Sequence, residues 1–394
     1  MMKKLIYILL SLFYSMVFIG CIKKAVHLPT VPILQNPIME FDISESDDTE
    51  KRDEELPILF SLNGLYGYLD GQLNVIVPPI YDRAFNYTEN GYAWVRLQEK
   101  EYEFECRILD KKGKIIFSDH TSSINILYND IISYTSKSDL CPKIIKFLDD
   151  TLITNASGLE AAMEGDKIII LVRFTPGIER GFIDSFGNRL LQDLEIKRMS
   201  RGFREGRAVI VSGDNGDIRI IDINGNRYGD LHYYRTGRNF SEGLLPAETT
   251  DGRTGYITRD GEFAFFAPIV ADIPEYDESP LNATDFKGGY ALIQTLLDPP
   301  TWRIINNQGV YISDELPLSR ADSFMNGYSL VKVTNAGYGY INTKGEMTIN
   351  PIFDDADSFC RGYARIVYEG REGLVNTEGT IFWSDEMTKD TFNR

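Results

Sequence analysis

The chain has 394 residues and a formal net charge of −17. A surface this acidic repels phosphate backbones and anionic headgroups, which excludes nucleic acid as a natural partner and leaves a covalent lipid as the only route to a membrane. Four Cys and three His are too few for a disulfide framework or a His-based metal centre.

The chain opens on a basic start, Lys3 and Lys4, followed by an apolar run from Leu5 to Ile19. That run is shorter than the roughly 20 residues of a membrane-spanning helix and has the order of a secretory signal. It ends Val17-Phe18-Ile19-Gly20-Cys21. Gly directly before Cys is where lipoprotein signal peptidase cuts, so Cys21 is the expected site of palmitate-type acylation; an ordinary signal with an incidental Cys is the alternative. Ile22 stands where an Asp would retain such a protein at the inner membrane. The expected location is therefore the bacterial cell envelope, at the outer membrane. Residues 1–20 read as the signal and 21–56 as a lipidated tether. The tether carries Asp42, Glu45, Asp47, Asp48, Glu50, Asp53, Glu54 and Glu55 against Lys51 and Arg52, too charged a run to bury a core.

From about residue 57 to 385 one phrase returns: apolar, Asp or Asn, two residues, Gly, apolar. It reads Leu109-Asp110-Lys111-Lys112-Gly113, Ile183-Asp184-Ser185-Phe186-Gly187, Ile221-Asp222-Ile223-Asn224-Gly225 and Ile257-Thr258-Arg259-Asp260-Gly261. Later copies are Ile305-Asn306-Asn307-Gln308-Gly309, Ile341-Asn342-Thr343-Lys344-Gly345 and Val375-Asn376-Thr377-Glu378-Gly379. Successive glycines lie 74, 38, 36, 48, 36 and 34 residues apart, so the first interval holds a decayed copy. Such a period marks a repeat architecture. Asx starts a turn by accepting a hydrogen bond from the backbone two residues on, and Gly supplies the left-handed residue that closes a hairpin. Each copy is thus a hairpin tip between two strands.

A second phrase, aromatic-x-x-Gly and an apolar run, alternates with the first at Phe203, Phe240, Phe286, Phe324 and Phe359. It predicts another turn and strand. The unit is three or four short strands with almost no helix. The fold class is all-β: seven to eight short antiparallel β-units, arranged as a propeller or an open β-solenoid. Ile58-Leu59-Phe60 and the hairpin from Gly373 to Trp383 are expected to complete one unit and close a ring. Residues 386–394 form a tail.

Gly339-Tyr340-Ile341-Asn342, Pro351-Ile352-Phe353-Asp354 and Phe359-Cys360-Arg361-Gly362-Tyr363-Ala364 together resemble the bacterial WG repeat, as does the stretch from Gly67 to Val95. The namesake Trp is replaced by Tyr66, Arg180, Thr254, Tyr338 and Glu372. The resemblance implies an interaction or scaffold role and carries no catalytic motif.

Residue chemistry adds little to that. Asp222 to Asn226 superficially suggests a calcium loop, but its Gly is at the fourth place and not the sixth. No Gly-x-Ser-x-Gly elbow or Gly-rich phosphate loop occurs, so no catalytic residue, metal ligand or cofactor is assigned. Cys106 and Cys141 could pair across neighbouring units; three idle thiols, Cys360 included, is the other reading. Tyr92, Tyr290, Tyr328 and Tyr363 each follow the second phrase's glycine. They are core residues or, if aligned on one exposed face, the binding surface. The leading functional reading is a lipid-anchored scaffold that binds an envelope protein or glycan. The rivals are a glycan-acting hydrolase or lyase using Asp/Glu carboxylates, and a plain spacer.

Overall fold

The computed structural model describes residues 56–138, 140–174, 180–194, 196, 201–212, 217–229, 233–237, 239–249, 254–266, 283–294 and 301–389. These lie in one compact unit, residues 53–394. The signal, Cys21, most of the tether, His27, His232 and residues 390–394 fall outside the described residues. Within them no helix is long and apolar enough to cross a membrane.

The strands form small antiparallel sheets, each a meander in chain order. Sheet 1 has three strands, Ile58–Leu62, Leu65–Leu69 and Val75–Tyr81. Sheet 2 (Arg83–Ala84 to Ile115–Asp119), sheet 3 (Ile124–Tyr128 to Thr151–Thr154), sheet 4 (Ala156–Glu164 to Arg189–Leu190), sheet 5 (Phe203–Arg204 to Arg227–Tyr228) and sheet 6 (Tyr233–Thr236 to Phe263–Phe266) have four each. Sheet 8 (Leu318–Ala321 to Met347–Phe353) and sheet 9 (Asp355–Ala356 to Ile381–Trp383) also have four. Sheet 7 is the pair Tyr290–Gln294 and Trp302–Asn306, widened by single bridges from Ala283, Tyr311 and Leu316. Eight sheets therefore carry three or four strands, the upper end of the expected number, and the two-stranded sheet is a ninth member. One short helix, Ser384–Met387, ends the unit.

The repeated phrase is the turn between the third and fourth strands. In sheet 8 the Asn342 side-chain oxygen accepts from the amides of Lys344 (2.9 Å) and Glu346 (3.0 Å), while Gly345 sits at φ 84°. Asp110 holds the same turn in sheet 2. Two sheets turn here without the glycine, which is why the phrase misses them. In sheet 1, Asp70 accepts from Gln72 and Asn74, and Leu73 takes φ 63° in the glycine's place. In sheet 3, inside the 74-residue interval, Asp149 accepts from Thr151 and Asp150 takes φ 56°. The glycine that opens the third strand has a different cause. A Cβ on Gly339 would lie 2.6 Å from the Ile349 carbonyl oxygen, because the fourth strand bulges over it where the register shifts between Tyr338 and Tyr340.

The middle strands are buried on both faces, so they read as unbroken apolar runs such as Ile168-Ile169-Ile170-Leu171-Val172. Each sheet shares one core with the sheet before it and another with the sheet after. Sheets 4 and 5 meet through Ile169, Leu171 and Phe182 against Phe203, Ala208 and Ile210. Sheets 8 and 9 meet through Leu330, Tyr340 and Phe353 against Phe359, Ile366 and Val375. The last core joins sheet 9 to sheet 1: Leu374, with Tyr363 and Phe382, packs on Ile58, Phe60 and Leu69. The Gly64 amide donates to the Glu372 carboxylate across it, at 3.1 Å. The ring is closed, a β-propeller and not an open solenoid. Closure differs from the expected shared unit. Ile58–Leu62 pairs with Leu65–Leu69, and Ile381–Trp383 pairs with Arg371–Asn376, so the ends belong to two sheets that meet face to face.

A side chain at a left-handed position costs roughly 1–2 kcal/mol. The Cβ of Gly345→Val would also press on Ser313 of the neighbouring sheet, 3.2 Å away. Gly345→Val should lower the thermal midpoint by several degrees, whereas Lys344→Ala, exposed beside it, should leave it unchanged. Differential scanning calorimetry of the two variants checks this.

Candidate functional site

The turn between first and second strands recurs in sheet after sheet and lies on one rim of the ring. Its two central residues both take positive φ: Glu205 and Gly206 (53° and 79°), Glu242 and Gly243 (55° and 78°), Asn326 and Gly327 (52° and 82°), Arg361 and Gly362 (52° and 81°). That is the mirror-image two-residue turn that suits twisted hairpins. Glu is an uncommon residue in such a conformation, and here its carboxylate is engaged by the next sheet. Glu205 accepts from the amides of Glu242 and Gly243, both at 2.7 Å. Glu242 in turn accepts from Gly288 and Gly289, at 2.6 and 2.8 Å. Glu164 of sheet 4 accepts from Gly206, while burial still pushes its carboxyl above the usual range. Three carboxylates thus link the turns of sheets 4 to 7 head to tail. Charge-assisted bonds of this kind are about twice as strong as neutral ones. Sequence reading missed them, although the Glu-Gly pairs at 205 and 242 were visible in the phrase.

The other arc of this rim carries the tyrosines. Tyr290 begins the first strand of the sheet 7 pair, Tyr328 and Tyr363 begin the second strands of sheets 8 and 9, and Tyr92 sits directly before the second strand of sheet 2. All four are half-buried. Each ring packs edge-on or tilted against a phenylalanine: Tyr92 on Phe147 (5.2 Å between centroids), Tyr290 on Phe324 (6.4 Å), Tyr328 on Phe359 (5.3 Å) and Tyr363 on Phe382 (6.0 Å). Their hydroxyls make no hydrogen bond to a described residue. Each of the four rings thus gives one edge to packing against a phenylalanine and is partly exposed. Three stand on consecutive sheets. Tyr92 is separated from them by sheet 1, which offers Pro57 at this place.

Among the described residues sheet 1 also has no counterpart of the other sheets' first strand and its turn. Arg361 of sheet 9 reaches past it, donating from Nη2 to the Tyr87 carbonyl in sheet 2 at 2.9 Å. A notch opens beneath, lined by Ile58, Leu59, Asn86, Arg361 and Tyr363 among others. On its wall Arg365 donates to Asp355 (2.7 Å) and Asp357 (2.9 and 3.2 Å). Burial works against the Arg365 charge, but the two carboxylates more than offset it and raise its pKa.

Other candidates fall to local structure. Burial works to raise the Asp222 carboxyl, but bonds from Asn226, Tyr228 and Asn224 hold it below the usual range. The would-be calcium loop is a hairpin tip whose carboxylate is already engaged. Among the described residues no group of three His, Cys, Asp or Glu could hold a metal. The expected alternative of a Cys106–Cys141 pair is not met: Cys106, Cys141 and Cys360 are in no disulfide among the described residues. Burial pushes the Cys106 thiol up to about 12, which makes it inert at neutral pH.

No curated protein matches the chain. Among solved structures, a eukaryotic initiation factor aligns over 82% of this chain and 94% of its own, at 10% identity and TM-score 0.55. That likeness speaks to the fold alone. A computationally designed protein, Ika8, aligns over 84% and 96% at 9% identity and TM-score 0.42. BamB from Moraxella catarrhalis aligns over 71% and 94% at 11% identity and TM-score 0.39. The model of the WG containing repeat matches residues 66–100 and 338–371. Those stretches run from the second of sheet 1's three strands into sheet 2, and from the third strand of sheet 8 into sheet 9, so each matched stretch spans one inter-sheet junction. Two stretches of the chain thus match the WG containing repeat, and both lie within the β-propeller.

Proposed function

We propose that this protein is a lipid-anchored, extracytoplasmic scaffold that binds a protein or glycan of the bacterial cell envelope through the tyrosine arc of its rim. The observation that carries the reading is the row of Tyr290, Tyr328 and Tyr363 on three consecutive sheets, each ring fixed on one edge by a phenylalanine and each hydroxyl without a hydrogen-bond partner among the described residues. Rigid amphipathic rings of this kind supply contact area and a hydrogen bond at little entropic cost. Carboxylates near the arc favour binding over hydrolysis: Asp355 and Asp357 are engaged by Arg365. The anchor reading rests on Lys3, Lys4, the apolar run and Gly20-Cys21. Cleavage and lipidation at Cys21 would leave the propeller on a charged tether at the outer membrane.

Changing Tyr290, Tyr328 and Tyr363 together to Phe keeps the ring packing and removes three hydroxyls, each worth about 0.5–1.5 kcal/mol in a hydrogen bond. Binding to isolated cell envelopes, measured by sedimentation, should weaken about tenfold or more with the thermal midpoint unmoved. Equal binding by the triple variant would refute the arc as the contact surface. Cys21→Ser should abolish palmitate labelling and shift the protein from the detergent phase to the aqueous phase. Continued labelling would sink the anchor.

A further inference from the structure

The turns at the start of successive sheets share one device. Two neighbouring residues at positive φ present adjacent backbone amides, a form of turn that makes an anion-binding concavity. In sheets 6 and 7 those amides hold a glutamate of the preceding sheet. Glu205 takes Glu242 and Gly243, and Glu242 takes Gly288 and Gly289, one carboxylate oxygen to each amide. The molecule thus carries its own example of what the turn binds: a carboxylate on a side chain of glutamate length.

Sheets 8 and 9 have the turn without the glutamate. Asn326 and Gly327 (52° and 82°) and Arg361 and Gly362 (52° and 81°) repeat the φ angles of Glu242 and Gly243 (55° and 78°). The hairpins close in the same way, through Met325 and Tyr328 in sheet 8 and through Cys360 and Tyr363 in sheet 9. The amides of Asn326, Gly327, Arg361 and Gly362 donate to no described residue. The reason lies in the sequence. Gly288 stands on sheet 7 where Glu205 and Glu242 stand on theirs, and Asn326 stands there on sheet 8. Met325, Asn326 and Gly327 are exposed, and Arg361 and Gly362 are half-buried, so both turns are accessible. The cations beside them favour an anion. Lys287, next to Gly288, forms no ion pair among the described residues, and the Arg361 guanidinium meets no carboxylate among them. Tyr328 and Tyr363 follow the two turns directly.

We propose that the turns of sheets 8 and 9 are carboxylate seats, each taking one glutamate from an acidic segment of a partner protein laid along the tyrosine arc. The inference rests on the reading of that arc as the binding face, and names what the partner brings to it. A glutamate above Gly288 fills the sheet 8 turn as Glu242 fills that of sheet 7. One above Asn326 fills the sheet 9 turn, beside Arg361. The occupant is protein because the group held by the turns of sheets 6 and 7 is a glutamate side chain.

A peptide of eight glutamates is the probe, with octaglutamine as its neutral control. In amide NMR spectra of the labelled full chain, octaglutamate should shift the Asn326, Gly327, Arg361 and Gly362 signals, and octaglutamine should not. The blocking variant is Gly288→Glu, Asn326→Glu, which gives both turns the clamp of sheets 6 and 7. A Cβ on Gly288 meets nothing within 4 Å, and its φ of 61° is close to the 55° of Glu242. Octaglutamate should bind this variant about tenfold or more weakly, the effect of one hydrogen bond to a charged group, with the thermal midpoint no lower. Lys100→Glu changes the charge equally, at the turn between the second and third strands of sheet 2 and so on the opposite rim, and should bind as the unchanged protein does. Unshifted amides in the unchanged protein overturn the proposal, whatever the variants do. Equal weakening by Lys100→Glu overturns it in favour of bulk charge, and tighter binding of oligogalacturonate overturns it in favour of a glycan. If cell envelopes release the Tyr→Phe triple variant but retain the blocking variant, the arc stands and the seats alone fall. If they retain both, the arc falls with them.

Discussion

Burial of both faces of every sheet is the constraint on which this structure depends. A sheet of three or four short strands standing alone would expose two apolar faces and could not be stable. Here each face is covered by the next unit, as Ile169 and Leu171 are covered by Phe203 and Ile210. An array of such units has only two ways to end: with polar caps at both termini, or by returning on itself. Among the described residues there is no capping sheet. Ile58 and Phe60 at one end and Leu374 at the other are as apolar as any internal pair, so the ring closes. The aromatic of the second phrase belongs to the same logic. Phe203, Phe240, Phe286, Phe324 and Phe359 each lie in the core between their own sheet and the one before.

The two ends of the strands solve different problems. At the Asx-x-x-Gly end the backbone turns within one sheet, held by its own side chain. At the opposite pole of that hairpin's neighbours, the turns from first to second strand bind one another between sheets, through Glu164, Glu205 and Glu242. The linkage stops where Gly288 takes the place of the glutamate and has no side chain to give. From there the tyrosines begin. The rim is therefore divided into an acidic arc, whose carboxylates serve the fold, and an aromatic arc, whose hydroxyls serve nothing within the described chain. This division is the physical ground on which we propose the second arc as a binding face.

Much of this was legible in the sequence because the local rules are strict. Asp110, Asp184, Asn342 and Asn376 each accept amides of their own turn, and the glycine after them has no substitute free of strain. The rest was hidden where a residue did the same work at higher cost. Leu73 and Asp150 both occupy left-handed positions, and neither residue type announces that. Sheets 1 and 3 were accordingly invisible to the phrase. The clamps were hidden for another reason: Glu205 and Glu242 lie 37 residues apart, and a bond between units cannot be read from the spacing within one. Closure was anticipated from apolar ends, but its geometry was not. The ends were expected to share a sheet, and the buried face of Ile58–Leu62 instead meets sheet 9 broadside.

Among the described residues the core between sheets 9 and 1 contains four buried residues, against nine between sheets 8 and 9. It is also the one junction that no peptide bond crosses. Tension on the N-terminal end of the propeller would load this junction as a peel, one row of contacts at a time, while every other junction is sheared with a covalent link in parallel. The ring therefore has a built-in place to part. Once parted, it would present Ile58, Phe60 and Leu374 together as a fresh apolar face, leaving the remaining cores intact.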